Sequence, residues 1–287
     1  MKPMKHLQRD VPLFRQKSIL DQLSFTGEHC REWIDAFDDL LDVTRAAAPA
    51  RTSGHRPRVR DPFGLGRSPK DDIDPANRER RIEQALWEQW NRRRYQESNE
   101  WFLPAVCKGV AAYQVPLQET SEDKGWGRID FVGVGARDLP VVGELKKEDG
   151  DTPLWMLAEA FGYALSLQRA WEKGDLRQEW STAVLTASAD SLPTRLDSIT
   201  VLCAAPEPYW ITRIGSRDIR EANRVPPEAW PAFLELVETC RAHGFSVEFV
   251  SFQVDESIPG SLRILRPAIR LLPGQDDLDR SSANRAP

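Results

Sequence analysis

Apolar residues recur at helical spacing through EHCREWIDAFDDLLDVTRA, residues 28–46, at Trp33, Ile34, Phe37, Leu40, Leu41 and Val43. The spacing predicts an amphipathic helix, with Thr26 or Gly27 as its cap. From about 47 to 76 the pattern gives way to proline, glycine and arginine, which mark a linker or long loop. Helical periodicity returns in ANRERRIEQALWEQWNRRR, with Ile82, Leu86, Trp87 and Trp90 on one face. Extended sequence around AVCKGVAAYQVPLQ follows, then two short apolar runs at 127–134 and 140–147 that read as a hairpin.

A long helix is predicted over 153–173, where Leu154, Leu157, Phe161, Leu165 and Gln168 form the stripe and Gly174 ends it. SITVLCAA reads as a buried strand, PPEAWPAFLELVETCRAHG as a helix and FSVEFVSFQV as another strand. The order helix, strands, helix, strand, helix, strand predicts an α/β domain with a mixed central sheet flanked by helices. The expected organisation is an N-terminal helical segment (1–50), a linker or long loop (51–77), the α/β domain (78–272) and a polar, disordered tail (273–287).

The hairpin carries the chemistry. With the turn at Gly135 to Leu139 centred on Arg137, Asp130 falls opposite Glu144, Val132 opposite Val142 and Arg128 opposite Lys146. Alternation along the strands puts Arg128, Asp130, Glu144 and Lys146 on one face and Ile129, Phe131, Val141 and Leu145 on the other. Two carboxylates roughly 5 Å apart across a sheet repel unless a cation lies between them. Their hard oxygens suit magnesium or manganese. Lys146, on the same face, could stabilise charge on a phosphorane or position a water. The competing reading is that Asp130, Glu144 and Lys146 form an ion-pair cluster on the solvated side of the sheet. Helices on both sides of the sheet argue against it, because a covered charge is costly.

Composition narrows the classes. Four scattered cysteines form no CxxC pair, and four dispersed histidines form no HExxH, so zinc and disulfide frameworks are not expected. No apolar run approaches the roughly 20 residues of a membrane span, and the N-terminus is a poor signal peptide, so the expected location is cytoplasmic. A net charge of −5 argues against indiscriminate coating of nucleic acid. Charge is uneven, however. Arg45, Arg51, His55, Arg56, Arg58 and Arg60 form one basic segment, and Arg92, Arg93 and Arg94 another. Either could meet phosphates or be a solvated loop.

Asp130 followed after a turn by Glu144-Leu145-Lys146 resembles the PD-(D/E)XK nuclease superfamily, with Ile129 where the name-giving motif has proline. The resemblance spans roughly residues 78–255 by element order, but its motif is only a few residues long. It implies a restriction-endonuclease-like fold carrying an N-terminal helical extension. It also implies a catalytic set of Asp130, Glu144 and Lys146, with Mg2+ (or Mn2+) on Asp130 and Glu144. Relatives often add a glutamate from the first core helix, here Glu83, with Glu79 and Glu88 as competitors; alternatively Glu83 faces solvent beside Arg80 or Arg81. Many relatives carry a polar residue near the site on the next helix, here Gln168, unless that glutamine only borders the stripe. The expected activity is phosphodiester hydrolysis in nucleic acid, with DNA the expected substrate and restriction, repair, recombination or defence the roles of bacterial relatives. An RNA-cleaving enzyme and a non-catalytic nucleic-acid or protein-binding module on the same fold are the alternatives. The N-terminal helical segment could bind substrate, form a homodimer or contact a protein partner.

Overall fold

The computed structural model describes residues 25–48, 76–91, 101–117, 128–135, 137–172, 175–184, 189–214, 229–258, 261–265 and 269–271. Among the described residues the first elements are three helices: α1 (Gly27–Asp35), α2 (Phe37–Ala47) and α3 (Arg78–Trp90). Strands β1 (Cys107–Pro116), β2 (Arg128–Gly135) and β3 (Pro140–Leu145) follow, then helices α4 (Pro153–Glu172) and α5 (Asp175–Val184). The chain continues through β4 (Ile199–Pro206), α6 (Glu207–Ile214), α7 (Ala229–Ala242) and β5 (Phe245–Phe252). Three two-residue strands close the order: β6 (Val254–Asp255), β7 (Arg263–Ile264) and β8 (Ile269–Arg270).

The sheet is mixed, in the order β1-β2-β3-β4-β5-β8. β1, β2 and β3 pair antiparallel, whereas β3, β4 and β5 run parallel. Each parallel step needs a crossover long enough to return the chain, supplied by α4 and α5 before β4 and by α6 and α7 before β5. The β2–β3 register matches the hydrophobic pattern, with Val132 opposite Val142 and Phe131 opposite Gly143. β3 ends at Leu145, so Lys146 and Lys147 follow the strand rather than belonging to it.

Each face of the sheet has its own apolar layer. Val132, Val134 and Val142 pack under α4 with residues of α1, α2 and α7. Phe131, Val141 and Leu145 pack with Ile82, Leu86 and Trp90 of α3 on the other side. Ile129 departs from simple alternation and joins the α4 side with its cross-strand neighbour Val115.

The single helix expected over 28–46 is two. Thr26 Oγ1 accepts from His29 N to cap α1. At Ala36 the backbone leaves the helical region (φ −98, ψ 9). The break lets α1 pack on α7 while α2 packs on α4; Phe37 meets Phe161 and His243 at ring distances of 5.3 and 4.7 Å. The linker, apart from Ala76 and Asn77, and the expected disordered tail lie outside the described residues. Among the described residues no helix is long and apolar enough to cross a membrane.

Candidate active site

Asp130 lies where the β2–β3 ladder stops. Phe131–Gly143 is the final pair, and the Asp130 carboxylate then replaces a backbone acceptor, its Oδ2 receiving Leu145 N at 2.8 Å. Glu144 is held from the other side by the parallel pairing of β3 with β4, opposite Cys203. Gly143, just before it, leaves room for the Phe131 ring, which lies where a Cβ would be.

Lys146 follows the strand with its backbone N donating to Ala204 O at 3.0 Å. Its ammonium turns back, donating to Glu144 Oε1 at 2.6 Å and to Glu159 Oε2 at 2.5 Å. Glu159 comes from the second turn of α4. All three side chains are at most 7% exposed. Asp130 is buried as well, so Asp130, Glu144 and Lys146 do not lie on a solvated face of the sheet.

From the opposite side, α3 brings two carboxylates. Glu79 and Glu83 are one turn apart and share a helix face. Their carboxylate oxygens and that of Asp130 all lie within 4.8 Å of one another. Glu83 is fully buried, so it is not the solvent-facing partner of Arg80 or Arg81. Its Oε1 accepts from Gln114 Nε2 at 2.9 Å, while its Oε2 accepts no hydrogen bond. Gln114 sits on β1 between Tyr113 and Val115, the partners of Phe131 and Ile129, and hence beside Asp130. Arg78 anchors the start of α3 to the segment after β3: its Nη2 pairs with Glu148 Oε1 at 2.6 Å, and its Nη1 with Glu256.

Five carboxylates thus face one ammonium. Burial pushes the Asp130 carboxyl up to about 7, against the pull of Lys146. Burial, reinforced by the Asp130 charge, holds Glu83 and Glu144 well above the usual carboxylate range. Burial opposes ionisation of Glu159 too, but the adjacent Lys146 outweighs it and brings this carboxyl below its ordinary value. For Lys146 burial is likewise outweighed, here by Glu144, Glu159 and Asp130, which keep the ammonium protonated. A buried carboxylate oxygen without a partner, as at Glu83 Oε2, costs on the order of 1–3 kcal/mol. The donor set is all hard oxygen. These residues fit a magnesium- or manganese-sized cation.

The residues singled out from sequence do not all meet. Asp130, Glu144, Lys146 and Glu83 converge, but Glu144 has one oxygen committed to Lys146, and Glu79 completes the close trio with Glu83 and Asp130. Glu88 points away and accepts from Gln84 Nε2 at 2.8 Å. Gln168 does not join: its Nε2 donates to Leu196 O at 2.7 Å, and nine residues of helix put it about 13 Å beyond Glu159 along the axis. Two contributors escaped the sequence pattern, Glu159 and Gln114. Glu159 did leave a signal, as the first charged residue of α4 in an otherwise buried run from Pro153 to Gln168. Arg51, Arg56, Arg58 and Arg60, and Arg92 to Arg94, lie outside the described residues; Arg45 is in the last turn of α2.

Searches against family models, curated proteins and solved structures found no match to this chain. The functional reading therefore rests on the site.

Proposed function

We propose that the chain is a metal-dependent nuclease of restriction-endonuclease-like fold that hydrolyses phosphodiester bonds in DNA. Asp130, Glu144 and Lys146 form its catalytic set, and Glu83 assists in holding a divalent cation. The observation that carries this reading is a row of buried charged groups at the ends of β2 and β3: Glu83 beside Asp130 on one side, the Glu144–Lys146 pair on the other, with Asp130 bound to the backbone of Leu145 between them. Strongly perturbed carboxylates around a lysine, far too costly for a passive surface, are a signature of catalytic work.

Asp130, Glu83 and Glu144 would hold the cation. When bound it would neutralise phosphate oxygens and favour ionisation of a bound water. The protein's own groups account for the rest. Lys146, two of whose three N–H groups are held by Glu144 and Glu159, has one left to orient the attacking water, and its positive charge offsets charge growing on a phosphate oxygen. Water oxygen forms the new bond to phosphorus, the bond to the leaving oxygen breaks, and the leaving oxygen ends protonated. The products carry a phosphate and a hydroxyl.

The test is Lys146→Ala beside Lys147→Ala, whose side chain instead pairs with Asp149 at 2.9 Å. Linear, circular and single-stranded DNA, and RNA, are incubated with Mg2+ or Mn2+ and with chelator. Lys146→Ala should cut about 100- to 1,000-fold more slowly, and Lys147→Ala at nearly the wild-type rate. Chelator-resistant cleavage would remove the metal, preferential RNA cleavage would change the substrate, and tight binding without cleavage would make the chain a binding module.

A further inference from the structure

We infer that Glu79 is a ligand of the divalent cation, so that α3 contributes two ligands, Glu79 and Glu83, facing Asp130. The inference rests on the metal-dependent reading above and adds to it a residue and a location. Carboxylates four residues apart on one helix face repel each other when no cation intervenes. Here they also converge with a third, all ligand oxygens lying within 4.8 Å of one another.

The nearby basic side chains are engaged elsewhere. Lys146 holds Glu144 and Glu159. Arg78 pairs with Glu148 and Glu256, Arg81 lies 3.7 Å from Glu256, and Arg80 reaches Gln114 Oε1 at 3.5 Å. An independent observation points to a ligand at the same spot. Glu83 is fully buried, and its Oε2 accepts no hydrogen bond although its other oxygen is satisfied by Gln114. A lone pair stranded beside two more carboxylates is a place for a cation rather than for a hydrogen-bond donor of the protein.

Glu79 is the least covered of the three, half-buried where Glu83 and Asp130 are buried. The trio is therefore approachable from the Glu79 side. Magnesium and manganese retain several waters when bound, and a half-exposed ligand leaves space for them. Asp130 joins the two halves of the site, lying within 4.8 Å of the α3 glutamates on one side and accepting from the Leu145 backbone beside Glu144 and Lys146 on the other.

The experiment is calorimetric titration of Mn2+, repeated with Mg2+, into wild type, Glu79→Gln and Glu88→Gln. Glu88 lies on the same helix, exposed and outside the trio. Glu79→Gln should weaken Mn2+ binding by at least about 10-fold, since losing even a group that only orients a ligand typically costs about 10- to 100-fold. Glu88→Gln should bind like wild type. Thermal melts in chelator guard against misfolding: Glu79→Gln removes a repelling charge and should melt no lower than wild type. If Glu79→Gln binds Mn2+ within twofold of wild type while wild type cuts DNA with Mg2+, the inference fails and the nuclease reading stands. If binding depends on Glu79 but wild type cuts no nucleic acid, the ligand assignment stands and the nuclease reading fails. Absence of saturable binding to wild type overturns both.

Discussion

Replacing Asp130 with asparagine should stabilise the protein in the absence of metal, and the gain should grow with pH. The Asp130 carboxyl is raised from 3.8 to about 7, chiefly by burial. Below pH 3.8 folded and unfolded chains both carry it protonated, so it contributes no difference. Between about pH 4 and 7 the unfolded chain releases the proton and the folded chain keeps it, so stability falls as pH rises. A shift of about 3 pH units at about 1.36 kcal/mol each sets a ceiling near 4 kcal/mol, reached above pH 7. Asparagine has no such term, and its side-chain oxygen can still accept from Leu145 N. Glu83 and Glu144 are raised as well, by burial first and then by the Asp130 charge, so their own slope persists in the variant but is weaker. Neutralising residue 130 eases their repulsion too, which adds to the variant's advantage. Urea denaturation of wild type and Asp130→Asn in chelator, from pH 4 to 8, measures the gap directly. It should be close to zero at pH 4 and a few kcal/mol at pH 8. Saturating Mn2+ should close it, because a cation bound only by the folded wild type stabilises that state. An Asp130→Asn protein no more stable than wild type at pH 8 without metal would refute the electrostatic account of the site.

Glu159→Gln should slope the other way. Lys146 holds the Glu159 carboxyl below its ordinary value, so its contribution is present above the unfolded pKa of about 4.5 and lost as pH falls through the folded value. The variant should be less stable than wild type at pH 7, by up to about 3 kcal/mol for a buried pair broken on one side. The deficit should shrink on acidification, and a deficit constant from pH 7 to 3 in urea melts would contradict the pairing. Gly143→Ala should cost about 1–3 kcal/mol, since its Cβ would overlap the Phe131 ring, itself packed edge-on against Phe102 at 6.2 Å. It should also lower cleavage by displacing Glu144. An unchanged denaturation midpoint would show that the ring can retreat.

The hairpin was the most legible part of the sequence: alternation allows registers two residues apart, and the turn centred on Arg137 selects the one that pairs Val132 with Val142. Asp130, Glu144 and Lys146 came with it. Helix positions were harder to resolve. Glu79 and Glu83 lie on one face four residues apart, and nothing in the spacing separates a site carboxylate from its neighbour; the structure brings both close to Asp130. The stripe on α4 correctly turned Gln168 toward the interior, but a stripe records the face and not the distance along it. Glu159 stood out as the one charged residue between Pro153 and Gln168, but only the folded position of Lys146 gives that carboxylate its partner. α5 and α6 are short and mixed in character, so local pattern did not announce them. Pairing of β4 beside β3 depends on a crossover longer than any local signal.

The packing of α1 and α2 constrains how the chain can be divided. Phe25 meets Phe233 and Trp230 edge-on at 4.9 and 5.7 Å, and Phe37 lies against Phe161. The first of these contacts braces α7, and the second braces the helix that carries Glu159. A fragment starting at Arg78 would keep every acidic residue of the site yet lay bare the aromatic side of both helices. α1 and α2 are thus part of one hydrophobic layer rather than an appendage. A partner that engages α1 or α2 on this packed domain would meet their outer, polar faces.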